Sequence, residues 1–176
     1  MNDIAVMVDK DKKDLVDKLI DQWGEERPEL DAKAMGVVGR ILSLSHILEQ
    51  RATACLKPYD LHYSDFDVLA TLRRAGEPYS LTPKELMQSV LITSGAMTAL
   101  LERLSKKELI SRGVDKSDGR IRTAILTEKG KALVDEAVVK RFEEAKEAIG
   151  GLGDEEAQTL AKGLRHLNQT IDQSSH

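Results

Sequence analysis

The sequence predicts a mainly α-helical fold that carries one small β-hairpin. Three observations predict it. Aromatic residues make up 3% of the 176 and charged residues 32%, a mix that suits helices better than a sandwich or barrel. Apolar residues recur at helical spacing along most of the chain. Only between Leu109 and Leu126 do short β-prone runs flank a polar turn, Lys116-Ser117-Asp118-Gly119, and Asp-Gly favours a hairpin tip.

The elements follow in order. Leu15, Leu19 and Trp23 repeat at i, i+4, i+8 beside Val16 and Ile20. They predict an amphipathic helix of roughly 14 residues. Gly24 and Pro28 are expected to end it. Asp31 is placed to cap a second helix, whose broad apolar surface runs from Val37 to Ala52 and stops at Pro58. A surface that wide is expected to pack on two sides.

Ser64, with Asp67 three residues on, reads as a capping-box-like start for a third helix through Phe66, Val68, Leu69 and Leu72 to Gly76. Thr82, Pro83 and Glu85 mark a strong start for a short fourth helix. After a break at 90–92, Thr93 or Ser94 caps a fifth helix with Met97, Leu100, Leu101 and Leu104 on its inner face. Leu109-Ile110 opens a strand ending near Val114, and Ile121 to Leu126 alternates as the return strand. Thr127 is expected to cap a long helix reaching the Gly150-Gly151-Leu152-Gly153 stop. Asp154 is expected to cap a last one carrying Leu160, Leu164, Leu167 and Ile171. These helices do not obviously bury one another's apolar faces, which predicts a homodimer with intertwined terminal helices.

The charge is uneven. Between Thr82 and Thr127 eight basic residues stand against five acidic ones, a local +3 in a chain of net charge −4. A positive face on an acidic body fits a compact DNA binder. The order of elements there fits a winged helix–turn–helix. Thr82–Ser89 is the positioning helix and Thr93–Lys106 the recognition helix, with the hairpin as a wing. Thr93, Ser94, Gly95 and Thr98 fall where small or hydroxyl side chains allow close approach to a major groove. Arg103, Lys116, Arg120 and Arg122 supply positive charge for phosphates or a narrow minor groove. The chain thus divides into an extra helix over 1–30, a helical dimerisation region over 31–58 and 128–176, and the DNA-binding domain over 59–127.

From Ser64 onward the chain resembles the MarR family of winged-helix regulators. The matching pieces are Asp65-Phe66-Asp67-Val68-Leu69, the Met97 to Leu104 run, Glu108-Leu109-Ile110-Ser111-Arg112, and Asp118-x-Arg120 followed after five residues by Leu126-Thr127. The resemblance covers about residues 35–172. It implies a homodimer on a pseudo-palindromic operator, most often a repressor, released by a small ligand or by oxidation. Arg120 takes the place of the family's wing arginine. Gly119 and Ile121 stand where many relatives are more basic, which implies a weaker wing.

The extra N-terminal helix with its Trp is similar to the PecS-like, urate-responsive branch of that family. That resemblance implies a ligand site of Trp23, Asp67, Arg74 and Arg112. Asp67 and Arg74 lie seven apart, hence two turns along one helical face. An anionic planar purine can stack on Trp23 and meet a guanidinium fork. A phenolic or other aromatic acid is the alternative effector.

Other chemistry finds little footing. The single cysteine, Cys55, excludes an intrachain disulfide and points to a reducing compartment. Its alternatives are inert packing and peroxide sensing. His46, His62, His166 and His176 are scattered, with no metal-ligand spacing, so neither a metal nor another cofactor is expected. No nucleophile–base set or phosphate loop marks an enzyme. No apolar run approaches the roughly 20 residues of a membrane span, and no signal peptide is read. The expectation is a soluble cytoplasmic protein. A protein-binding adaptor on the same scaffold is the competing class, but no acidic residue occupies 93–101.

Overall fold

The structure, a computed structural model, describes residues 12–90, 94–114 and 120–174. Thr93, Lys116 and the turn over 116–119 lie outside the described residues. The element order is α1 (Leu15–Glu26), α2 (Lys33–Leu56), a 3-10 turn (Lys57–Tyr59), α3 (Tyr63–Arg74), β1 (Ser80–Leu81), α4 (Pro83–Ser89), α5 (Ser94–Lys106), β2 (Ile110–Val114), β3 (Arg122–Leu126), α6 (Glu128–Ala148) and α7 (Asp154–Ser174). Mainly helical with a small sheet is what the sequence predicts. Among the described residues no helix is long and apolar enough to cross a membrane.

The chain forms two compact units, one of Met1–Leu48 with Lys146–His176 and one of Glu49–Ala145. The second unit holds the core. Leu56, Leu69, Leu72, Leu86 and Leu104 are fully buried there, with Val134 of α6. On α5, Met97, Leu100, Leu101 and Leu104 all point inward, as their spacing predicts. The sheet has the order β1-β3-β2 and is antiparallel. Ile110 pairs with Leu126 and Val114 with Arg122, while Ser80 and Leu81 pair with Ile125 and Ala124. The third strand, β1, is not legible beforehand because two residues carry no alternation.

The first unit is different. Over 12–48 and 146–174, no described residue is buried. Leu15, Leu19 and Trp23 are exposed on α1, as are Val37, Val38 and Leu42 on α2 and Leu160, Leu164 and Ile171 on α7. Apolar surface on that scale is what a monomer in water does not keep open.

Several boundaries shift for identifiable reasons. Asp14 caps α1 in a reciprocal box with Asp17, at 2.9 and 3.1 Å. The helix runs past Gly24 to Glu26, so Gly24 is not its stop. The start of α3 moves ahead of Ser64. The Asp65 carboxylate accepts the His62 N–H at 3.2 Å, and Asp67 lies two residues too deep to cap. Asp154 is the first residue of α7, and Glu156 instead accepts the Gly153 N–H at 3.0 Å. The Thr82–Glu85 box forms as expected, with the Thr82 N–H donating to Glu85 at 2.7 Å and Thr82 Oγ1 accepting the Glu85 N–H at 3.2 Å.

The base of the hairpin is locked to α6. Thr127 Oγ1 accepts the Gly130 N–H at 3.0 Å and donates to the Glu108 carbonyl at 2.8 Å, while the Thr127 N–H reaches the Leu109 carbonyl at 3.1 Å. The first turn of α6 therefore presses on the Leu109 backbone. A Cβ at Gly130 would lie 2.0 Å from the Leu109 oxygen, so glycine is required there by space.

Candidate nucleic-acid interface and ligand groove

α4 and α5 form a helix–turn–helix, with β2 and β3 as the hairpin beside it. The inward residues of α5 leave Gly95, Ala96, Thr98 and Ala99 exposed on its first turns. Nothing lies within 4 Å of a Cβ built on Gly95, so this face is both small and open. Ser94 is the first residue of α5. Arg120 is exposed just before β3, and Arg122 is exposed at the hairpin register opposite Val114. Small side chains on a helix with arginines on an adjacent hairpin suit a duplex groove and its phosphates.

Arg103 is held differently from the sequence expectation. Its Nε and Nη2 donate to Asp65 Oδ1 at 3.0 and 2.6 Å. Asp65 is fully buried at the start of α3. A buried carboxylate needs a paired cation, and Arg103 supplies it. Lys107 is also engaged inside the unit, donating to Asp60 at 2.8 Å. Neither pairing is visible from spacing, because the partners are 38 and 47 residues apart.

Asp67 lines a groove of about 570 Å³ with Glu49, His62, Tyr63, Ser64 and Ser89. Val90, the residue after α4, also lines it. Burial pushes the Asp67 carboxyl above its ordinary value, and the charge of Arg74 opposes that shift. Arg74 itself is exposed and donates to Thr71 Oγ1 at 2.9 Å. It is not among the groove's lining residues, nor is Arg112, which is exposed on β2 opposite Ala124. Of the four expected ligand residues, then, Asp67 enters the groove and Arg74 couples to it by charge. Trp23 belongs to the other unit, where it is exposed. Glu49 and Tyr63 were missed by sequence reasoning, since an acid and a phenol on amphipathic helices carry no signature of their own.

Cys55 is half-buried, its thiol donates to the Ala52 carbonyl at 3.2 Å, and burial raises its pKa. That favours the inert thiol over the reactive thiolate.

The MarR-family profile matches residues 59–121. The HTH-type transcriptional regulator PecS of Dickeya dadantii is 30% identical over 156 residues, spanning 89% of this chain and 94% of PecS. The chain belongs to the MarR family. Solved MarR-family structures share the fold. The Staphylococcus aureus MepR–DNA complex superposes with a TM-score of 0.68 at 25% identity, over 76% of this chain and 96% of MepR. The Escherichia coli MarR C80S mutant, complexed with operator DNA, gives a TM-score of 0.67 at 24% identity, over 88% of this chain and 99% of that one.

Proposed function

We propose that this chain is a dimeric DNA-binding repressor of MarR type that leaves a pseudo-palindromic operator when urate or a similar purine binds. The observation that carries the DNA-binding part is the two-sided α5. Its apolar side is buried, while Gly95 and Thr98 lie exposed beside a hairpin bearing Arg120 and Arg122. In this reading α5 enters the major groove and the wing arginines grip phosphate or minor groove. Arg103 then acts from behind, by holding α5 to α3, rather than on DNA.

The dimer is supported by the first unit, which buries no described residue and exposes apolar side chains on α1, α2 and α7. A second copy supplies the missing core. Two α5 helices related by a two-fold axis then read half-sites about one helical turn apart.

The ligand reading uses Trp23, Asp67, Arg74 and Arg112. A purine stacks on Trp23, the arginines meet its oxygens, and its charge beside Asp67 strains the start of α3. The groove is also lined by Ser89 and Val90, so a strain there bears on the end of α4, the positioning helix. A second reading, a neutral phenol, is favoured by the groove's own lining, which holds the carboxylates Glu49 and Asp67 and no lysine or arginine.

The test is selection of bound sites from a random duplex pool, followed by titration of the complex with urate and, separately, with a simple phenol. Release by urate with a change in Trp23 emission supports the purine reading. Release by phenol alone replaces it, and no enriched site overturns the regulator. Light scattering at micromolar protein should give a dimer; a monomer removes the two-fold reading.

A further inference from the structure

We propose that Arg40 is a positioning residue that seats the N-terminal helix and thereby sets Trp23. This rests on the reading of Trp23 as a ligand residue, although Arg40 itself touches no ligand. The geometry lies wholly within the first unit. All three guanidinium nitrogens of Arg40 are engaged. Nε and Nη2 fork onto Asp14 at 2.9 and 3.1 Å, Nη2 also reaches Asp17 at 2.7 Å, and Nη1 donates to the Gly36 carbonyl at 3.0 Å. The fork is thus fixed on its own helix before it grips α1, and a planar, five-donor group suits that double duty where lysine does not.

A groove for α1 lies beside the clamp. A Cβ at Gly39 would stand 3.2 Å from Val16 Cγ1, and one at Gly36 would stand 3.5 Å from Ile20 Cδ1. Val16 and Ile20 therefore settle against α2 where side chains are missing, and Arg40 closes the N-terminal end over Asp14 and Asp17. The same two carboxylates form the capping box of α1. One guanidinium thus holds the groups that start the helix as well as the helix itself.

The consequence falls on the remaining face. With Val16 and Ile20 turned to α2, Leu15, Leu19 and Trp23 form an outward stripe, and Trp23 keeps 58% of its surface. Without the clamp, α1 has no residue buried within its own chain to retain it, and Trp23 would be carried on an arm that its own chain holds loosely. The order demanded of a stacking partner therefore depends on a residue 17 positions away in the sequence.

The experiment compares full-length wild type with Arg40→Gln, Arg40→Lys and Gly39→Leu. The last blocks the seat while leaving the clamp charges in place. Three readouts are taken: tryptic cleavage within α1 at Lys18, acrylamide quenching of Trp23, and the urate concentration that half-releases a selected operator duplex. Arg40→Gln and Gly39→Leu should both raise cleavage about ten-fold. Both should also change Trp23 quenching and raise the half-release concentration about ten-fold, with operator affinity held within about two-fold. Arg40→Lys should fall between Arg40→Gln and wild type. Wild-type cleavage and quenching in both disruptive variants would overturn the seat. A loosened helix with an unaltered urate response would overturn its link to the ligand. If wild type ignores urate, the ligand reading fails, whereas cleavage and quenching still decide whether Arg40 seats α1.

Discussion

Asp65 and Arg103 join the first turn of α3 to the last turns of the recognition helix, with Nη2 2.6 Å from a carboxylate that solvent does not reach. The pair is asymmetric. Asp65 is fully enclosed, while the Arg103 side chain keeps 38% of its surface. Removing the cation strands the carboxylate. Arg103→Ala is expected to destabilise the protein by about 1–3 kcal/mol, the lower part of the range because solvent screens the exposed side. Urea denaturation measures this. The salt dependence of operator binding separates it from a phosphate contact. The slope should stay as in wild type, and a loss of about one unit would return Arg103 to the DNA.

Arg120 and Arg122 should behave in the opposite way. Each substitution to alanine is expected to weaken binding to specific and random duplexes alike and to reduce the salt slope by about one. Thermal stability should be nearly unchanged, since both side chains are exposed. Fluorescence anisotropy across a salt series checks both. Unaltered affinity in Arg120→Ala would contradict the wing role.

Gly130→Ala tests the join between hairpin and α6. The added methyl would meet the Leu109 oxygen at 2.0 Å. Either the helix or the strand must retreat, breaking the Thr127 bonds that tie them. The expected loss is about 2–4 kcal/mol, against a gain of about 1 for the same change in an unconstrained helix. A denaturation midpoint equal to wild type would sink the close-packing account.

Asp67 links the groove to pH. Burial raises its folded pKa above the ordinary 3.8, so the folded state holds this proton more tightly than the unfolded one. Between those two values the folded state binds more protons, and stability falls as pH rises. Below the window both states are protonated and the penalty is absent; above it the penalty is complete. Asp67→Asn should therefore gain stability relative to wild type as pH rises from about 3.8, its ordinary value, towards neutrality. Urea midpoints of the two proteins at several pH values give the difference. A difference that does not grow with pH would place Asp67 in water rather than in a confining groove.

The sequence by itself determined the elements whose causes are local. The Thr82–Glu85 box, the inward row Met97, Leu100, Leu101 and Leu104, and the strands either side of 115–121 follow from capping chemistry and periodicity. Those act over a few residues. The family was legible for the same reason, because its marks from Glu108 to Thr127 are local to the hairpin and the cap after it. Only the tertiary structure decided which charges face outward. Arg103 and Arg120 look alike in sequence, yet one meets a buried carboxylate 38 residues away and the other is exposed. It also decided that Val16 and Ile20, rather than Leu15, Leu19 and Trp23, take the seat on α2. Both apolar sets have helical spacing, and only the side-chain gaps at Gly36 and Gly39, closed by Arg40, distinguish them.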